Sequence, residues 1–182
     1  AAQLTKAGYN TSLIGKAHFT SKATFEPTGS PECQFSSTNY GEDWFGPYMG
    51  FDHVELMVMG HFQRRLPPGH KYLLPFEPPH GQHFERWFHS RGTAGEARRS
   101  WKDTSDGNGL LAAQTWNSAL PEKWHTSTWV ADRTIKFLQS AQSEGKPFCL
   151  WSSFPDPHHP FDCPAPWNNM YDPREADMPA HR

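Results

Sequence analysis

The chain has 182 residues, with 17 Lys and Arg against 19 Asp and Glu, for a formal net charge of −2. That length supports one domain with its own core, and 36% hydrophobic with 20% charged residues excludes a disordered chain. The near-neutral balance leaves no electrostatic footprint for nucleic acid, and no apolar run is long enough to span a bilayer.

The first residues, Ala1 to Ala7, predict a helix, with Gly8 at the left-handed position that ends it. The chain thus opens inside an element, so a trimmed start is expected. The missing leader leaves the compartment open, whether periplasmic, secreted or cytoplasmic. Tyr9-Asn10 turns, and Thr11 to Gly15 reads as a short buried strand. Helix, turn and strand make half of an α/β unit. The residues after the strand lie at its C-terminal edge, where open α/β sheets place their ligands. Lys16 and His18 fall there.

Residues 20–120 lack sustained periodicity. The 17 Pro and 14 Gly of the chain predict long irregular connections, and its 8 Trp and 13 Phe predict aromatic anchors for them. Phe51 to Met59 is a candidate strand in which Val54, Leu56 and Val58 alternate with Glu55 and Met57. Residues 66–83 read as loop, and the polar, Gly-rich stretch 92–112 as a flap. The clearest helix is predicted over 126–143, capped by Thr126 or Ser127, with Trp129, Val130, Ile135, Phe137 and Leu138 inward and Asp132, Arg133 and Lys136 in water. Gly145-Lys146-Pro147 ends it. Phe148 to Phe154 is a strongly apolar strand, expected to be central and parallel. Pro155-Asp156-Pro157 breaks it, so His158-His159 again lies past a strand's C-terminal end. Residues 160–182 read as loop and turn.

The three cysteines, Cys33, Cys149 and Cys163, make no CxxC pair and no zinc spacing. Chemistry therefore concentrates in two segments. In Gly15-Lys16-Ala17-His18, extended backbone puts Lys16 and His18 on one side, where an ammonium and an imidazole suit an oxyanion. On spacing alone, a surface loop with two polar residues is the stronger reading. In Pro155-Asp156-Pro157-His158-His159-Pro160-Phe161, flanking prolines hold the histidines in a stiff frame that suits a positioned general acid. An incidental Pro-rich exit loop and a metal ligand are the alternatives. If the segment is extended, His158 and His159 point apart and do not share an ion.

Residues 4–18, ending in Gly15-Lys16-Ala17-His18, resemble the sulfatase segment that ends in Gly-Lys-Trp-His. Residues 153–164 resemble the sulfatase Pro-His-x-Pro-Phe-x-x-Pro segment, and Tyr48 to Asp52 and Thr128 to Leu138 look like the family's connecting elements. The resemblance implies an α/β fold, part of an alkaline-phosphatase-like sandwich with a mostly parallel sheet and a long loop-rich insertion. It implies one partial catalytic domain over 1–182: a helix–strand unit at 1–19, a substrate-side region at 20–120, and a second helix–strand unit at 121–182. It implies an arylsulfatase-like sulfuric-ester hydrolase in which Lys16 contacts the sulfate, His18 bonds the nucleophile's hydroxyl, and His158 stabilises or protonates the leaving group. His159 holds the variable position and carries no role. His61, Arg64, Arg65 and His125 are expected to reach a sulfate-ester small molecule or a sulfated sugar.

Two departures shape the expectation. The family's nucleophile is a formylglycine made in a Cys/Ser-x-Pro-x-Arg segment, and none of the three cysteines stands in one. The family's Asp-Asp pair and its later Asp-Asn or Asp-His pair, which hold a divalent cation (Ca, or Mg or Mn), do not occur at their places in the order. Truncation at both ends is therefore expected, as is an inactive 182-residue chain holding no cation of its own. Non-native dimers through exposed edges are expected too. Phosphonate monoester or phosphodiester hydrolysis within the superfamily, and a degenerate non-catalytic binding domain, are the alternatives.

Overall fold

The computed structural model describes residues 1–21, 26–60, 76, 78–90, 115–118, 120–159, 161–177 and 179–181. In chain order these form α1 (Ala2–Lys6), β1 (Asn10–Lys16), β2 (His53–Met57), α2 (His83–Ser90), β3 (Thr115–Ser118), α3 (Thr126–Glu144), β4 (Phe148–Ser153) and β5 (Phe161–Pro164), with short 3-10 turns between them. The expected flap 92–112 lies outside the described residues, as do residues 66–75 and 77 of the expected loop; of the rest of that loop, 78–81 are turn and bend and His83 already begins α2.

The sheet that organises the molecule is three-stranded and wholly parallel, in the order β2-β1-β4. Parallel strands are buried on both faces, and successive residues of β1 supply one face each. Ile14 joins Met57, Phe84, Phe88, Trp129 and Val130 in a core beneath α2 and α3. Its neighbour Leu13 joins Ala17, Phe51, Val54 and Leu56 on the other side. β1 is the central strand. The apolar sequence of β4 predicts that place for β4 instead, but among the described residues it pairs only with β1, and Phe148 and Trp151 are 45% and 48% exposed.

α2, which the sequence did not reveal, is clamped to the end of β2 by two polar side chains. His83 Nε2 donates to the Trp44 carbonyl at 2.8 Å, and its Nδ1 accepts the Leu56 N–H at 3.0 Å. Glu85, fully buried, accepts from Met59 N–H at 2.6 Å and Gln82 N–H at 2.9 Å. Burial pushes the Glu85 carboxyl above its ordinary range, against these donors.

α3 differs from its predicted helix at three points. Its N-cap is His125, whose imidazole Nδ1 accepts the Ser127 N–H at 3.2 Å in the manner of a Ser or Asp oxygen. Ile135 and Leu138 are 53% and 38% exposed, so the buried stripe is Trp129, Val130 and Ala141. Arg133 does not face water alone: its Nε lies 3.4 Å from Glu55 Oε2. Burial pushes the Glu55 carboxyl up, but the His53 ring and the Arg133 guanidinium outweigh that and hold it below its ordinary value. Gly145, in the left-handed conformation at φ 65°, ends the helix as expected.

β3 and β5 form a separate parallel pair with Thr115 opposite Phe161. The tail from residue 160 onward thus contains a strand, where the sequence predicts only loop. No helix among the described residues is long and apolar enough to cross a membrane.

Candidate functional site

Parallel pairing of β1 with β4 sets Gly15 opposite Ser153. The segments after them, Lys16-Ala17-His18 and Phe154-Pro155-Asp156-Pro157-His158, therefore leave the sheet side by side at its C-terminal edge. Gly15 makes this approach feasible. A Cβ at that position would lie 2.0 Å from the Ser153 carbonyl oxygen and 3.2 Å from Val130 Cγ2, and the residue sits at φ +106°, a conformation that side-chain-bearing residues rarely adopt. Glycine before the lysine is thus a packing requirement of the two strands.

Lys16 is half-buried at the end of β1. Burial lowers its ammonium's pKa from the ordinary lysine value, and the Asp156 carboxylate pushes the other way. Ala17 is buried and His18 exposed. The strand ends at Lys16, and buried Ala17 separates it from His18. The segment is pinned just beyond: Phe19 N–H donates to Glu32 Oε1 at 3.1 Å, Tyr48 O–H donates to the same oxygen at 2.7 Å, and the Phe19 ring meets Trp151 of β4 edge-on at 5.4 Å. These contacts fix where His18 leaves the sheet.

His158 and His159 are both exposed, and they do not point apart. Residues 157–159 are a turn rather than a strand, and the two rings lie 4.2 Å apart, tilted by 30°. His158 Nδ1 donates to the His159 carbonyl, which fixes its proton on that nitrogen. The loop is tied to α3 through Ser127 Oγ, which donates to Asp156 Oδ2 at 2.9 Å.

His125 is 6% exposed and stands beside Asp156 and Asp162, with Glu122 nearby. Burial lowers its pKa, while Asp156, the Asp162 main chain and Glu122 oppose that shift. Its surroundings are acidic and line an open cavity of about 720 Å³ together with Asn168 and Trp167. Asp156 and Asp162 escape a reading of the sequence because they lie 31 and 37 residues from His125 in the chain, and only the docking of α3 and β5 brings the three together. His61, Arg64 and Arg65 lie outside the described residues.

No family model matches the chain. Among curated proteins, the uncharacterized sulfatase YidJ of Escherichia coli strain K12 is 27% identical over 110 residues, 57% of this chain and 21% of that protein. The multifunctional alkaline phosphatase superfamily protein PehA of Trinickia caryophylli is 36% identical over 63 residues, 35% of this chain and 12% of that protein. An arylsulfatase of Clostridium perfringens is 25% identical over 179 residues, 98% of this chain and 30% of that protein. The chain thus spans less than a third of the length of each. These partial similarities support the alkaline phosphatase superfamily and, within it, a sulfatase-like hydrolase. The parallel α/β sheet agrees with that superfamily's fold.

Proposed function

We propose that the chain builds one side of the active site of an arylsulfatase-like sulfuric-ester hydrolase. One observation carries the proposal: β1 and β4 are parallel neighbours, so the Gly-Lys-x-His and Pro-His-x-Pro-Phe segments emerge together at one sheet edge. Lys16 binds the sulfate oxygens. His158 stabilises or protonates the departing ester oxygen. His18 hydrogen-bonds at the reacting centre. Arg64, Arg65 and His61 extend the contact to the rest of a sulfate ester or sulfated sugar. A formylglycine, when present, supplies the attacking oxygen, and no residue of this chain lies in the Cys/Ser-x-Pro-x-Arg setting that makes one. Lys16, His18 and His158 are basic, a set that fits an anion and not the divalent cation of such hydrolases. Both groups are proposed to come from residues other than these 182, and the chain by itself is expected to turn nothing over.

Sulfate titrated into the 182-residue chain and followed by imidazole NMR is expected to shift His158 and His18 saturably. Lys16→Ala is expected to weaken that binding at least about tenfold, the effect of losing one charged contact of about 1.4 kcal/mol. Uniform small shifts across the 11 histidines, unchanged in Lys16→Ala, would count against the site. A second reading, phosphonate monoester or phosphodiester hydrolysis, stays within the alkaline phosphatase superfamily to which PehA's name refers. The resemblance of the Lys16 and His18 pair to the sulfatase Gly-Lys-x-His segment favours sulfate.

A further inference from the structure

The geometry points to a second ligand class: we infer that His125, Asp156 and Asp162 form a binding site for a first-row divalent cation such as Zn²⁺. One ligand atom from each of the three lies within 4.8 Å of the others. The imidazole is 6% exposed, and its buried Nε2 makes no hydrogen bond of good geometry, with the Asp162 main chain as the polar group beside it. A donor set at that depth, facing two carboxylates, is what a cation satisfies and an anionic sulfate ester does not.

The three residues are held by different elements. His125 caps α3, Asp156 lies just past β4 and is fixed by Ser127 Oγ at 2.9 Å, and Asp162 lies in β5 at 9% exposure. Asn168, whose Oδ1 is also buried without a partner, lines the same cavity and offers an amide oxygen. Around a tetrahedral Zn²⁺ at 2.0–2.2 Å, ligand atoms stand about 3.4 Å apart, so the three groups close by at most about 1.4 Å on binding. An imidazole in the set selects against Ca²⁺ and Mg²⁺, which prefer oxygen ligands alone.

Binding at Nε2 has a local consequence. A neutral imidazole that gives Nε2 to a metal carries its proton on Nδ1. Nδ1 then ceases to accept the Ser127 N–H, so the ring turns away from the helix cap. The Ser127 amide is therefore the reporter of this site.

The test is calorimetric titration of the full 182-residue chain with ZnCl₂ alone, with amide NMR on the same samples. Saturable binding is expected, with displacement of the Ser127 amide resonance, and Ca²⁺ is expected to bind at least about tenfold more weakly. His125→Asn keeps an N-cap acceptor and removes Nε2. It and Asp162→Asn are each expected to weaken Zn²⁺ binding at least about tenfold. If His125→Asn does not fold, Asp162→Asn decides alone. His159→Ala, which breaks up the adjacent surface ring pair, is expected to change nothing. Three outcomes overturn the inference: no saturable Zn²⁺ binding, affinity unchanged in both site variants, or loss of binding in His159→Ala. No sulfate ester enters the titration, so its outcome is independent of the sulfate reading.

Discussion

Gly15→Ala is expected to destabilise the chain by about 2–6 kcal/mol, a large share of the stability of an ordinary domain. Two costs add. The residue sits at φ +106°, and holding a side-chain-bearing residue there costs about 1–3 kcal/mol. The new methyl would also stand 2.0 Å from the Ser153 carbonyl oxygen and 3.2 Å from Val130 Cγ2, and overpacking of this kind costs about 1–3 kcal/mol. The carbonyl belongs to the partner strand's backbone and has no rotamer to escape into, so the β1–β4 ladder must open. Because Lys16 is the next residue, sulfate affinity is expected to fall along with stability. Gly8→Ala is the matched control. It too has positive φ, at +86°, but nothing lies within 4 Å of its Cβ position, so only the backbone cost of about 1 kcal/mol applies. Urea unfolding of both variants checks the contrast. Equal losses would show that the strands are not packed as closely as described.

The second large effect is a loss of stability in acid that traces to His83. Burial pushes this imidazole down to about 4 from its ordinary 6.5, against the pull of the Glu55 carboxylate and the Trp44 carbonyl. A histidine whose folded pKa is depressed binds fewer protons than its unfolded form between those two values, so stability rises with pH across that window. The contribution is complete above about pH 6.5 and is lost as pH falls to about 4. The span of 2.5 units corresponds to about 3 kcal/mol. The structural event is clear: protonating Nδ1 removes its bond from Leu56 N–H and releases α2 from β2. His83→Asn removes the titrating group, so the wild-type stability profile is expected to fall more steeply than the variant's from pH 6.5 to 4. Parallel profiles would show that His83 is protonated without consequence.

Much of the site's frame is legible in the sequence because it depends on local patterns. Gly8 and Gly145 mark helix ends, β1 and β4 are short apolar runs, and each leads into its basic residue at the strand's C-terminal end. The features that escape depend on contacts distant in sequence. The periodic Phe84, Trp87 and Phe88 of α2 are visible in hindsight, but the helix is anchored by His83 and Glu85 reaching β2 and residues 58–60, and no local signal shows that. β4 looks central because apolarity reports burial and not neighbours. Hydroxyls are the usual cap acceptors, which points to Thr126 or Ser127 for α3, but a buried imidazole takes the role one residue earlier. The opposed directions predicted for His158 and His159 fail because alternation holds for strands, and the prolines make this segment a turn.

We propose that the edge shared by β1 and β4 serves sulfate-ester hydrolysis. The most direct measurement is turnover of 4-nitrophenyl sulfate against a matched phosphonate monoester by the complete product of the reading frame that contains these residues. The Lys16→Ala and His158→Ala variants are compared alongside it. The sulfate ester is expected to be the better substrate, and Lys16→Ala to lower kcat by about 10²–10³, the loss typical of removing one preorganised charge-stabilising group. A preference for the phosphonate, or a sulfatase rate indifferent to both substitutions, would contradict it.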